Sequence, residues 1–303
     1  EDAAILIESS NEVTIEQVHL SETQRGIFIR GGFGHQLLNN EVSSFPVHYS
    51  KRGNAIHLLN TKKANVQGNR FYAVQDGVYL DEAYDTTIRK NDISDARYAI
   101  HFMFSSGGVA TENHLHNNVN GVMAMNSEGV LLQANRIEKQ MTYRGYGILA
   151  YDMEDVMIED NTIIHNHHAV EVQASRGVEV TSNTIAGNYV GLSSSGANQQ
   201  VVVHQNYFSG NIVQTKLSGT PIQLDNGVRG NLWDDYTGFD LTGDGIGELP
   251  YDTDSGTMSW MDKYPHLQFY FESPTFHLWN RLEKMFRKSS ILQDRYPLTE
   301  TKR

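Results

Sequence analysis

The sequence reads as a right-handed parallel β-helix, an all-β solenoid of about ten turns of roughly 22 residues each. The first reason is a recurring frame, apolar-x-x-Asn-x-apolar, centred on Val18, Asn40, Asn69, Asn91, Asn113, Asn135, Asn161, Asn183, Asn206 and Asn231. Its spacings are 22, 29, 22, 22, 22, 26, 22, 23 and 25, so five of nine are identical. Fixed-period self-similarity is the signature of stacked repeats. The second reason is strand periodicity, in which apolar residues alternate with outward ones. Apolar residues stand three before each frame position (Ile15, Leu37, Val66, Ile88, Ala110, Leu132, Ile158, Val180, Val203, Val228). Others stand two after it (Leu20, Val42, Phe71, Ile93, Leu115, Ile137, Ile163, Ile185, Phe208, Trp233). A third set of pairs precedes them: Ile27/Ile29, Ile56/Leu58, Val78/Leu80, Ile100/Phe102, Val122/Ala124, Ile148/Ala150 and Val170/Val172. The third reason is the lack of any helical segment within the repeat. A leucine-rich repeat also places Asn after an L-x-L pair, but needs a helical stretch on its convex side. Here a second V-x-L strand occupies that place.

In chain order, the sequence begins inside a strand pattern at Ala4–Ile7. A solenoid needs a cap, so further turns or a cap are expected upstream. The 29-residue step inserts residues 45–53 and the 26-residue step residues 141–145, both expected as surface loops. The Asn at each corner is expected to tolerate the left-handed region and to bond its neighbours in a ladder. Residues 1–231 form the β-helix domain. Residues 232–303 form a Gly-, Asp- and aromatic-rich segment with a short amphipathic helix and an extended tail. Ser273-Pro274 is a plausible helix start, and Leu278, Trp279, Leu282, Met285 and Phe286 share one helical face. That face suits either a cap over the open end of the solenoid or a surface for a partner.

Composition narrows the function. Lys+Arg number 24 and Asp+Glu 36, a net charge of −12, and Cys is absent. A general binder of nucleic-acid backbones needs a basic stripe, so no nucleic-acid partner is expected. Thiolate zinc sites, disulfides and Cys nucleophiles are excluded. No apolar run approaches the length of a membrane span.

In a solenoid, residues at one repeat position form a row. The outward rows of the first strand are Phe28, His57, Tyr79, His101, Met123, Leu149, Glu171 and Arg30, Leu59, Asp81, Met103, Met125, Tyr151, Gln173. His101 and Met103 thus share a strand face, with Met123 and Met125 beside them on the next turn. Strand alternation spaces such neighbours by about 7 Å along the strand and about 4.8 Å between turns. One imidazole and three thioethers can converge on one soft ion, and thioethers select Cu(I). The competing reading is an apolar patch under a loop or partner, since Met fills adaptable interfaces.

Other groups carry less. His165, His167 and His168 read as a solvated corner, and His114 and His116 as outward residues that can serve as auxiliary ligands. Asp240–Tyr251 starts like a calcium loop but has Tyr251 where the bidentate Glu belongs, which favours a plain Gly/Asp turn. The acids Asp76, Asp81, Glu82, Asp85, Asp152, Glu154 and Glu171 prompt a carbohydrate-active reading. Against it, no Lys or Arg stands near them in the outward rows except Arg30, several turns away, and the aromatic row is short.

With these residues in view, the chain resembles the NosD family, over essentially all 303 residues. Ala99–Ser105 (A-I-H-F-M-F-S) is similar to the family's G-I-H-Y-M-Y-S, and Ala124–Ser127 (A-M-N-S) to its L-M-Y-S. The segments Asn231–Tyr236 (N-L-W-D-D-Y) and Gly238–Tyr251 (G-F-D-L-T-G-D-G-I-G-E-L-P-Y) are the most specific part. The resemblance implies a non-enzymatic periplasmic accessory protein for copper-site assembly, held at the cytoplasmic membrane through a transporter. It implies transient Cu(I), and as partners an ABC transporter membrane subunit, a copper chaperone lipoprotein and apo nitrous oxide reductase. Carried over by motif, His101, Met103 and Met125 match; Met123 rests on geometry alone, and Asn126 stands where the family has an aromatic. Leu278, Trp279, Leu282, Met285 and Phe286 become the expected docking face. The alternatives are a metal-free scaffold of the same complex, or a carbohydrate-binding or polysaccharide-active β-helix protein.

Overall fold

A computed structural model describes residues 3–143, 145–253, 273, 278 and 292–299. Three parallel sheets of ten, nine and ten strands run the length of a β-solenoid. Each coil supplies one strand to each sheet. One coil, for example, contributes Tyr98–Met103 to the first sheet, Val109–Thr111 to the second and His114–His116 to the third. The first sheet begins at Ile5–Glu8 and ends at Val213–Leu217. The third ends at Leu232–Trp233.

Alternation decides what is inside. Ile100 and Phe102 point inward and are fully buried, as are Ile88, Ala110, Leu115 and Ile137 on the other sheets. Rows of Val, Ile and Leu therefore stack through one continuous core. Each such side chain contributes about 1.5–3 kcal/mol when buried.

Polar ladders hold the corners. From Asn40 to Asn231, each frame Asn donates its side-chain amide to the Oδ1 of the next, at 2.9–3.0 Å for the Asn69–Asn91 and Asn135–Asn161 rungs. Each also donates to a core strand carbonyl, as Asn113 does to Ile88 at 2.9 Å. These amides are buried, so the ladder satisfies groups that water cannot reach. A second ladder, Asn118, Gln140, Asn166, Asn188 and Asn211, turns another corner. The frame overlooks it because Gln140 interrupts the Asn series.

Two details differ from the sequence reading. The frame Asn is not the left-handed residue; the residue before it is, at Gln17, Asn39, Gly68, Lys90, Glu112, Ala134, Asp160, Ser182 and Gln205. A frame Asn must keep its side chain inside to bond both neighbours, so the turn falls on the exposed residue before it. Val228 is not in the core but 66% exposed, and Leu224 is buried in its stead. Residues 225–229 close an Asx loop, in which Asn226 Oδ1 accepts the N–H groups of Val228 and Arg229 and pushes Val228 outward.

The C-terminal end is covered. Trp233 stacks on Phe208 at 4.3 Å and Tyr251 on Trp233 at 4.5 Å. Residues 292–299, read from sequence as an extended tail, return to this end. Asp294 Oδ2 accepts the N–H of Asn231 at 2.6 Å and of Trp233 Nε1 at 2.9 Å, ending the ladder with an acceptor. Arg295 binds Asp225 through two N–H···O contacts of 2.6 and 2.9 Å, and Leu298 bridges Leu232 and Ile246. Of the expected helical face, Leu278 is described and is 58% exposed. Trp279, Leu282, Met285 and Phe286 lie outside the described residues.

Candidate metal centre

The first sheet brings the four predicted ligands together in parallel register. His101 pairs with Met123 and Met103 with Met125 on adjacent strands, Tyr98–Met103 and Asn120–Met125. All four point out of the coil, yet His101 and Met123 are each only 6% exposed. Met103 and Met125 are half-buried. The coil before supplies Tyr79 and Asp81 as register neighbours, and the coil after supplies Leu149 and Tyr151.

His101 is held on three sides. Its ring stacks on Tyr79 at 4.7 Å and meets the edge of Tyr98 at 4.9 Å. Its Nδ1 lies 3.1 Å from Asp76 Oδ2, on a side chain that is fully buried. Arg97 forks onto the same carboxylate at 2.9 and 2.7 Å. Burial alone would raise the Asp76 pKa, but the hydrogen bonds and charges of His101 and Arg97 hold it below the usual carboxylate range. An ionised Asp76 can only accept, so the His101 N–H that faces it is on Nδ1 and the ring's lone pair sits on Nε2. That Nε2 is buried and has no hydrogen-bond partner among the described residues.

This is the arrangement of a metal-ligating imidazole, whose second nitrogen is oriented by a carboxylate. The buried acceptor, among three thioether positions, fits a soft monovalent ion. The outward rows contain neither Asp76 nor Arg97, so they do not show the base that stands beside this acid. Rows follow straight register, whereas Asp76 reaches His101 diagonally: its register partner is Tyr98. The available signal was Asp76 and Arg97 both flanking the same strand position.

Other predicted groups separate. His114 and His116 lie on the third sheet, not the first, so they are not auxiliaries of His101. Alternation marked them as outward but not on which side. His167 stacks on Tyr189 at 4.9 Å, and His168 Nδ1 contacts Ser193 at 3.1 Å. Asp240 spends its carboxylate on the N–H groups of Gly243 and Gly245, at 2.6 and 2.8 Å, as a turn does. The rings of Phe28, His57, Tyr79 and His101 stack on one another at 4.6–4.7 Å, so the inner two, His57 and Tyr79, have both faces covered.

Comparison with known proteins decides the family. The family described as periplasmic copper-binding protein (NosD) matches residues 38–238. The chain belongs to the NosD family. Two relatives, each named a probable ABC transporter binding protein NosD, align over 98% of this chain. The one from Pseudomonas aeruginosa is 27% identical with 73% of its length covered, and the one from Stutzerimonas stutzeri is 26% identical with 72% covered. Both names describe binding proteins, not enzymes. Among solved structures, tailspike protein 2 of an Escherichia coli O157:H7 bacteriophage superposes with a TM-score of 0.54 at 9% identity. It covers 81% of this chain and 44% of the tailspike. A second E. coli phage tailspike, in complex with a pentasaccharide, gives 0.52 at 12% identity, covering 77% of this chain and 55% of the tailspike. At such identity they are similar in fold alone. Membership of the NosD family places the chain among periplasmic copper-binding proteins.

Proposed function

We propose that this protein carries Cu(I) as transient cargo on His101, Met103, Met123 and Met125, and hands it to a copper enzyme under assembly. The observation that carries this reading is the buried His101 Nε2, without a partner among the described residues, oriented by Asp76 and flanked in register by Met123. Three neutral thioethers and a neutral imidazole leave the cargo's charge uncompensated. Such a site binds without releasing thiol protons and lets go more readily than a thiolate site.

The family description supports periplasmic copper binding, and the names of the relatives support a transporter as partner. An ABC transporter membrane subunit would hold the protein at the cytoplasmic membrane, a copper chaperone lipoprotein would load it, and apo nitrous oxide reductase would receive the copper. The apolar positions Leu278, Trp279, Leu282, Met285 and Phe286 are the proposed transporter contact, and Leu278 is exposed as such a contact requires.

A Cu(I) competition titration under anaerobic, reducing conditions tests the site. Wild type is expected to bind stoichiometrically. Met103→Leu/Met125→Leu keeps the volume and removes two sulfurs, and is expected to lose at least about 100-fold in affinity while melting as wild type does. Equal binding in both proteins would refute the assignment and leave the Met cluster as an apolar patch.

A further inference from the structure

The third sheet carries a different set of donors. Asp92 and His114 are register partners on adjacent coils, and His116 lies two residues beyond His114 on the same outward face. Among the described residues they form the one cluster of His and acid ligand atoms lying within 4.8 Å of one another. The oxygens of Asp92 lie 3.2 Å from His114 Nδ1 and 3.4 Å from His116 Nε2. Donor atoms around a tetrahedral ion with bonds of 2.0–2.1 Å sit about 3.4 Å apart. The two imidazole rings stack at 4.3 Å, which holds both on the same side of Asp92.

The partners outside the cluster explain its orientation. His114 Nε2 lies 2.9 Å from Glu138 Oε1, and the other oxygen of Glu138 accepts from Arg136 at 2.7 Å. A neutral imidazole has one N–H. With that N–H donated to Glu138, Nδ1 presents a lone pair to a carboxylate oxygen, an arrangement that a bound cation or a second proton relieves. His116 Nδ1 is met at 2.9 Å by the side-chain amide of Asn117. Its NH2 group donates to Nδ1; turning the amide end for end presents its carbonyl oxygen to an Nδ1–H instead and leaves Nε2 as a donor atom. A carboxylate orienting a ligating His, as Glu138 orients His114, is a usual outer-shell arrangement of a metal site.

We propose that Asp92, His114 and His116 form a second metal site, for a divalent first-row ion of the zinc or copper(II) class, separate from the His101–Met site. Two imidazoles and one carboxylate are borderline to hard donors and suit such ions, whereas thioethers suit Cu(I). The side chains of Asp92, His114 and His116 are 46%, 39% and 23% exposed, so a fourth position stays open to water or to a partner's ligand. The site does not depend on the Cu(I) reading, since no residue is shared.

Zn²⁺ and, separately, Cu²⁺ are titrated into the metal-free full chain against a chromophoric chelator. One equivalent of each is expected to bind to wild type and to Met103→Leu/Met125→Leu alike. Affinity is expected to fall at least about 100-fold in His114→Asn/His116→Asn, with Cu(I) binding unchanged and two-nitrogen hyperfine structure lost from the Cu²⁺ resonance spectrum. Asp92→Asn, at an exposed position, provides the same test should the double variant fold poorly. The proposal is overturned by no bound ion, by equal binding in all variants, or by binding lost only in the methionine variant. In those cases the cluster is a protonated ion-pair network, or the metal sits elsewhere.

Discussion

Asp76 sets the tautomer of His101, and its removal separates positioning from ligation. It has no exposed surface, and it also neutralises Arg97, whose side chain is 31% exposed. Asp76→Asn keeps the shape but leaves that guanidinium without a charge partner and the imidazole free to change tautomer. Cu(I) affinity is expected to fall about 10–100-fold, the range for an outer-shell carboxylate. Stability is expected to fall by roughly 3 kcal/mol, as for other broken buried pairs. Competition titration and calorimetry on one sample check both. An affinity loss without a stability loss would mean that Asp76 is exposed to water in solution.

The repeating element is a short strand entered through a left-handed residue, and that residue is where the backbone is strained. Ala134 has a φ of 53° and an exposed side chain, one position before the ladder residue Asn135. A Cβ there costs about 1 kcal/mol relative to glycine. Ala134→Gly is therefore expected to stabilise the protein by about 1 kcal/mol, the opposite sign to a glycine placed inside a strand. Thermal unfolding measures it, and an unchanged or lowered midpoint would sink the account. The same geometry explains why Lys90, Glu112 and Gln205 stand at equivalent corners. The position selects for a side chain that water can surround, and the strain is offset by the buried amide that follows.

At the scale of the whole molecule, Asp294 joins the last described segment to the end of the stack. Burial pushes its pKa up to about 6, although hydrogen bonds from Asn231, Trp233 and Tyr296 oppose the rise. A pKa raised on folding means that the carboxyl favours the fold when protonated. Its contribution is fully present below the ordinary value of 3.8 and is lost as pH rises through about 6. Between those limits wild type is expected to lose about 3 kcal/mol relative to Asp294→Asn, which has no proton to lose. Denaturation of both proteins across pH 3.5–7 in steps of about 0.5 checks this, since shared effects of other groups cancel in the difference. A constant difference would show that the Asp294 carboxyl is solvated.

How much of this was legible follows from what each signal encodes. Local alternation and a fixed period reveal which residues face the core, and hence the solenoid and the rows that hold His101, Met103, Met123 and Met125. Those features depend only on strand geometry, which repeats at every coil. Three things required the tertiary structure. Asp76 reaches His101 across the diagonal of two coils, and a row read in straight register does not show diagonals. His114 and His116 face outward from a different sheet, because the angle at each corner, not the alternation, decides the side. Residues 292–299 close the far end through Asp294, a contact 63 positions from Asn231 that no local pattern records. The sequence by itself determined the coil, its core and the existence of an outward Met/His row. Only the folded chain decided which acid supports which histidine and what ends the ladder, because those contacts join residues whose neighbourhood exists solely once the coils have stacked.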